Sequence, residues 1–232
     1  MLAREVRDGE QGRAVEVESG VERFDLTERL VHWTTGILLV SLLVTGTILY
    51  VPSLMLSVGH RATIVNIHVI TGLALVAPIV IGLLGRRRGA LVADVRRLDR
   101  WSKSDFAYFR RKVGVATEAG KFNGGQKLAA ALFAGGILAM LLSGIVMRWS
   151  PPFPNDWARG ATLVHDTIYL VLFVLTIGHI LVAVSRPVQL RSMFTGRVPA
   201  DWALRHPTDP TPLRRSARRE EGAAAGRSPA SG

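Results

Sequence analysis

The sequence predicts an all-α membrane protein, a bundle of four transmembrane helices. Three observations carry that reading. First, the apolar residues gather in four blocks, about Leu30 to Val51, Ala62 to Leu84, Leu128 to Met147 and Ala161 to Val184, each nearly free of Asp, Glu, Lys and Arg. Each block has the length of about 20 residues that a helix needs to cross the hydrocarbon of a bilayer. Second, the chain is 48% hydrophobic and yet carries a net charge of +11, so its charges are segregated from its apolar residues. Third, four histidines sit inside or at the ends of these apolar blocks, and two of them, His165 and His179, are fourteen residues apart on one block. A soluble bundle of very apolar helices is the alternative, and it would spread the apolar residues more evenly.

The elements follow in order. Residues 1–22 form a polar tail of mixed charge, with no apolar core and no small-residue cleavage pattern, so the first spanning helix is expected to act as the insertion signal. Residues 23–207 form the helical domain, with helices at about 28–51, 62–85, 126–149 and 159–185. Inside lipid the backbone must satisfy its own hydrogen bonds, so these blocks are helices rather than open strands. A long loop, 86–125, interleaves Val95, Leu98, Trp101, Phe106, Tyr108 and Phe109 with basic residues. It reads either as a helix at the membrane surface or docking face, or as a solvated connector with anchoring aromatics. Residues 208–232 are rich in Arg, Ala, Ser, Pro and Gly and read as a disordered basic tail.

Lys and Arg counts set the expected orientation. The N-terminal segment, the long loop and the C-terminal tail hold 26 of the 29 basic residues, and the two short loops hold 3. Both termini and the long loop are therefore expected in the cytoplasm of a bacterium, with the chain multi-pass in its inner membrane. The positive charge reads as a topology signal and not a nucleic-acid footprint, and it would also attract anionic membrane lipid. No cysteine is present, which excludes disulfides, thiolate clusters and C-x-x-C-H haem attachment within this chain.

Orientation assigns depths to the histidines. Fourteen residues of helix place His165 and His179 on one face, roughly 21 Å apart along the axis. His32 then lies with His179 on the inner side, and His68 with His165 on the outer side. Each pair comes from two helices, so its imidazoles can approach a flat macrocycle from opposite faces. Haem b, bound without covalent bonds and held by two axial histidines, satisfies this pattern and favours electron transfer over oxygen binding. The expected cofactors are two haem b groups, with iron bound by His32, His68, His165 and His179. Gly36 and Gly72, each four residues after a histidine, would leave room for a porphyrin edge. Gly135-Gly136 and Gly178 would thin the helix packing, or, like the others, simply serve close helix contact. Hydrogen-bonded core histidines or proton relays are the alternative for the imidazoles. Zinc or copper would find only two imidazoles at each depth. His60 and His206 read as structural or solvated. Arg29, Arg148, Arg159 and Arg186, near the boundaries, could meet haem propionates or serve as interfacial anchors.

Several segments carry a family resemblance: Arg29-Leu30-Val31-His32-Trp33, Asn66-Ile67-His68, Gly120-Lys121-Phe122-Asn123-Gly124-Gly125-Gln126-Lys127, Leu163-Val164-His165 and Gly178-His179. With Phe194-Thr195-Gly196-Arg197-Val198 and Trp202-Ala203, they resemble the gamma subunit of respiratory formate dehydrogenase, the membrane cytochrome b of the formate dehydrogenase N type. The resemblance covers roughly residues 23–207. It implies a four-helix bundle with the same two histidine pairs as axial ligands. It also implies a quinone site at Asn123, Gly125 and Gln126, with His179 touching the quinone. Asn123 would bond a quinone carbonyl, Gly125 would let the ring approach, and Gln126 would orient it.

The implied activity is that of the quinone-reducing subunit of a formate:quinone oxidoreductase, with no formate-oxidising site or other catalytic residue in this chain. Its partners would be an iron–sulfur (beta) subunit and a molybdenum or tungsten pterin catalytic (alpha) subunit. Electrons would pass from outer to inner haem and on to quinone on the cytoplasmic side. Phe122 stands where the family often has Tyr, and the middle loop and tail are longer and more basic than the resemblance requires. A dihaem cytochrome b serving a hydrogenase or thiosulfate reductase, a histidine-based transporter and a haem-free docking scaffold stay open as alternatives.

Overall fold

The computed structural model describes residues 20–110, 121–149 and 153–205. His206 and the tail from 208 lie outside the described residues, as do 1–19 and 111–120. Four helices in it are long and apolar enough to cross a membrane: Leu26–Tyr50, Arg61–Leu84, Gly124–Arg148 and Asn155–Val184. The bundle is that of a multi-pass membrane protein.

The first spanning helix, α1 (Leu26–Tyr50), opens on a reciprocal cap: Asp25 accepts from the Glu28 amide while Glu28 accepts from the Asp25 amide. A short helix, α2 (Pro52–Val58), follows, and Gly59 and His60 turn the chain with φ of 69° and 50°. His60 therefore has a structural place, at the left-handed residue that precedes α3 (Arg61–Ala74). The second span is not one unbroken helix. It passes from α3 to α4 (Ala77–Leu84) through Leu75 and Val76, because Pro78 has no amide proton to continue the ladder.

Among the described residues the long loop contains two helices, α5 (Gly89–Asp99) and α6 (Lys103–Arg110). Next come α7 (Gly124–Arg148), α8 (Asn155–Val184) and α9 (Pro187–Thr195), and then α10 (Ala200–Arg205). The fourth span starts at Asn155, ahead of the expected 159, with Asp156 in its first turn, where an acidic side chain favours a helix start.

The chain divides into two compact units. The larger holds residues 22–100 and 127–198. Its core is Leu39, Leu43, Leu75, Tyr169 and Leu172, with Phe133, Ile137 and Met140 packed against it. Few residues of the spans are buried, as expected of helices whose outer faces meet lipid rather than protein. At one end of this unit a clasp joins the start of α1 to the segment after α9. β1 (Val21–Glu22) pairs with β2 (Arg197–Val198), and the amides of Arg23 and Phe24 donate to the Gly196 carbonyl at 2.8 and 3.1 Å. Gly196 has φ 81°, and a Cβ there would stand 2.7 Å from the Phe24 carbonyl, so only glycine fits. The Arg29 guanidinium donates to the Phe194 carbonyl, and Trp33 Nε1 donates to Met193 O at 2.9 Å.

The smaller unit includes 101–126 and 199–205 among the described residues. Asp105 is fully buried and accepts from the Ser102 amide and hydroxyl, each at 2.8 Å. Gly124 packs directly on the Asp105 backbone, where a Cβ would come within 2.5 Å of its carbonyl.

Candidate haem-binding site

The four histidines of the apolar blocks form two pairs. The ring centroids of His32 and His179 lie 6.2 Å apart, and those of His68 and His165 lie 6.3 Å apart. Both pairings join α8 to another span, α1 in one case and α3 in the other. The levels are well separated along the bundle. His165 and His179 are fourteen residues apart on α8, about 21 Å of helix. A second ruler agrees. Thr45, which hydrogen-bonds His68, is thirteen residues from His32 on α1, again about 20 Å. Between the levels sits the apolar core of Leu39, Leu43, Leu75 and Leu172.

The spacing can be tested against what an iron between two imidazoles requires. A metal–imidazole nitrogen bond is about 2 Å, and a five-membered ring puts its centroid about 1 Å behind that nitrogen, so two trans ligands have centroids roughly 6 Å apart. Both pairs meet this value. Two neutral nitrogen donors per level, with no third His, Cys, Asp or Glu grouped nearby among the described residues, suit a macrocycle that supplies the other four ligands. They do not complete a zinc or copper site.

The two levels differ in their surroundings. His68 Nδ1 lies 2.8 Å from the Thr45 hydroxyl, and His165 Nδ1 lies 3.0 Å from the Ser143 hydroxyl. Thr45-Gly46 and Ser143-Gly144 are thus the nearest supports of this level, and sequence reasoning passed over both. The signal was present, as a hydroxyl–glycine step 23 residues before one histidine and 22 before the other. The glycines singled out from sequence behave otherwise. A Cβ at Gly36, Gly135 or Gly178 would meet nothing within 4 Å, one at Gly72 would meet only Leu42, and one at Gly136 would strike Leu172 at 2.8 Å. Gly136 therefore serves helix packing. At the other level, neither His32 nor His179 has a hydrogen bond among the described residues. His32 meets the Trp33 ring edge-on at 5.5 Å, and His179 meets Phe133 at 5.8 Å.

The Asn123 segment forms its own small site in the smaller unit. The Asn123 amide donates to Gln126 Oε1 and the Gln126 amide donates to Asn123 Oδ1, both at 3.0 Å. This reciprocal cap opens α7. It fixes both side-chain oxygens as acceptors and leaves both NH2 groups as donors. Gly125 has a packing reason of its own. A Cβ there would lie 2.9 Å from the Tyr108 ring and 3.1 Å from its hydroxyl. Tyr108 thus brings a phenol to this cap, in a chain that has Phe122 rather than Tyr within the motif. Lys127, the last motif residue, belongs to the larger unit, where its ammonium donates to Arg100 O at 2.8 Å.

Three of the four boundary arginines have protein partners of their own. Arg29 holds the clasp, Arg159 pairs with Asp156, and Arg148 lies over the Trp149 ring at 5.7 Å. These contacts suit anchoring.

A helical membrane bundle with two neighbouring imidazole pairs at separate levels fits a membrane cytochrome b. The chain belongs to the prokaryotic cytochrome b561 family (short name Ni_hydr_CYTB), whose model matches residues 23–196. That family binds b-type haem, and this chain is a membrane cytochrome b of electron transport. A search of curated proteins finds no match.

Proposed function

We propose that this chain is the membrane-anchoring, dihaem cytochrome b subunit of a formate dehydrogenase complex. One observation carries the dihaem reading: two imidazole pairs, at 6.2 and 6.3 Å between ring centroids, on two levels of one bundle. His68 and His165 would hold one haem b, and His32 and His179 the other. Each haem, when bound, would supply a one-electron carrier.

The chain's own residues orient the rings, keep an apolar core between the levels and offer donors to an acceptor. With both termini in the cytoplasm, the His68–His165 level faces outward and would take electrons from an iron–sulfur subunit fed by a molybdenum or tungsten pterin subunit. The His32–His179 level faces inward, toward a quinone. Asn123 Nδ2 and Gln126 Nε2 would bond a quinone carbonyl; the sequence resemblance adds His179, whose ring has no hydrogen bond among the described residues. Beside Gly125, Tyr108 adds a phenol to the Asn123–Gln126 cap.

The donor rests on the sequence resemblance. A hydrogenase is the second reading, favoured by the short name of the matched family. Two measurements test these readings. Haem quantified on the purified chain is expected at two per chain, and a ratio well below two defeats the dihaem reading. Native membranes given formate are expected to show reduced b-type bands. Bands that appear with hydrogen and not with formate establish the hydrogenase reading instead.

A further inference from the structure

We propose that Thr45-Gly46 and Ser143-Gly144 are matched seats that set the ring tautomer of His68 and His165, leaving Nε2 of each as the nitrogen offered to iron. The inference rests on the bis-imidazole reading above and assigns residues that it does not use.

The argument is one of proton counting. The Thr45 hydroxyl lies 2.9 Å from Ser41 O, 3.2 Å from Leu42 O and 2.8 Å from His68 Nδ1. It has a single proton, and backbone carbonyls can only accept. The proton goes to its own helix, as Thr and Ser hydroxyls commonly do within apolar spans. What the hydroxyl presents to His68 is then a lone pair, so His68 Nδ1 must carry the hydrogen. The Ser143 hydroxyl repeats the pattern, 2.7 Å from Ala139 O, 3.2 Å from Met140 O and 3.0 Å from His165 Nδ1. A neutral imidazole protonated at Nδ1 keeps its lone pair on Nε2.

The glycine that follows each hydroxyl completes the seat. A Cβ at Gly46 would lie 3.5 Å from His68 Cε1, and one at Gly144 would lie 3.4 Å from His165 Cε1. Each ring is therefore held at Nδ1 by an acceptor, and the glycine keeps the space beside its Cε1 edge free of a side chain. The arrangement arises twice, on different helix pairs, and is not repeated at the His32–His179 level. An acceptor on Nδ1–H makes Nε2 a stronger donor, and such outer partners typically change metal affinity about 10–100-fold. Stronger donation favours ferric iron, so the seats lower the potential of one haem and leave the other alone.

The test uses the full chain, purified with its haem, in four variants: Thr45→Val, Ser143→Ala, Thr45→Ser and Thr47→Val. Thr47 is a control because its hydroxyl bonds Leu43 O and Tyr169 instead of a histidine. Redox titration, haem content and the low-spin electron paramagnetic resonance signal are read together. Thr45→Val and Ser143→Ala are expected to raise the midpoint of one haem wave, or to weaken retention of that haem about tenfold or more. Thr45→Ser is expected to restore the parent values, and Thr47→Val to move neither wave. The seats are overturned if both waves stay in place with two haems retained in Thr45→Val and Ser143→Ala. They are also overturned if Thr45→Ser fails to restore, or if Thr47→Val gives the same change. Fewer than two haems in the unmodified chain defeats the bis-imidazole reading itself, and the seats fall with it.

Discussion

The His68–His165 level and the His32–His179 level have almost the same ring separation, reached by different means. At the first, a hydroxyl from a neighbouring helix fixes Nδ1 of each half-buried ring. At the second, both rings touch aromatic edges, Trp33 and Phe133, with no hydrogen bond among the described residues. Hydrogen bonds from side chains locked to their own helix give one orientation and one tautomer. Aromatic edges restrict tilt but leave the second ring nitrogen uncommitted. A level fixed by the protein suits a carrier that exchanges only electrons. A level with a free ring nitrogen suits a place where a diffusing acceptor is met, which is the role proposed for His179. The clasp adds a second difference. It ties Trp33, the neighbour of His32, to α9 through Met193 and Phe194.

The largest expected effect separates the levels outright. His68→Ala removes one of the two proposed haem ligands at one level and is expected to cost one haem per chain, with the haem proposed at His32–His179 retained. His179→Ala is expected to give the converse. Haem quantification and difference spectra check both, and loss of both haems from either variant would mean that the levels are not independent. A smaller effect is expected at the clasp. Gly196→Ala places a Cβ 2.7 Å from Phe24 O at φ 81°, a strain of about 1–3 kcal/mol. It is expected to lower thermal stability in detergent and to shift only the His32–His179 haem. A shift of the other wave instead would break the link between clasp and level.

Much of this was legible in the sequence because a bilayer imposes strong rules. Long apolar blocks must be helices, and a fourteen-residue spacing on one helix converts directly to depth. The histidine pairing followed from orientation and those two rules. The supports did not, because a Thr or Ser in an apolar helix usually bonds its own backbone, and its second contact depends on how two helices meet. Periodicity within one helix drew attention to Gly36 and Gly72, four residues from a histidine. The glycines whose missing side chains would meet imidazoles, Gly46 and Gly144, sit on the facing helices, where no single-helix pattern points. Asn123 and Gln126 stood out in the motif, but their reciprocal cap appears only once both amides are placed. Tyr108 lies in the loop before that motif, and nothing in the sequence tied it to Gly125.

The smallest effect sharpens the comparison most finely. Trp33 serves the His32 level in two ways, a hydrogen bond from Nε1 to Met193 O at 2.9 Å and a ring contact with Phe194 at 4.5 Å. Trp33→Phe keeps an aromatic face and removes only the donor. The net worth of such a bond is about 1 kcal/mol, and the Met193 carbonyl lies near the bundle end, where water can replace the donor. A modest fall in thermal stability is therefore expected, with two haems retained and the His68–His165 wave unmoved. If aromatic contact is what orients His32, its wave also stays close to the parent value in Trp33→Phe and moves in Trp33→Leu. Equal shifts in the two variants would show that the hydrogen bond fixes this level as well, and the contrast between the two kinds of support would be lost.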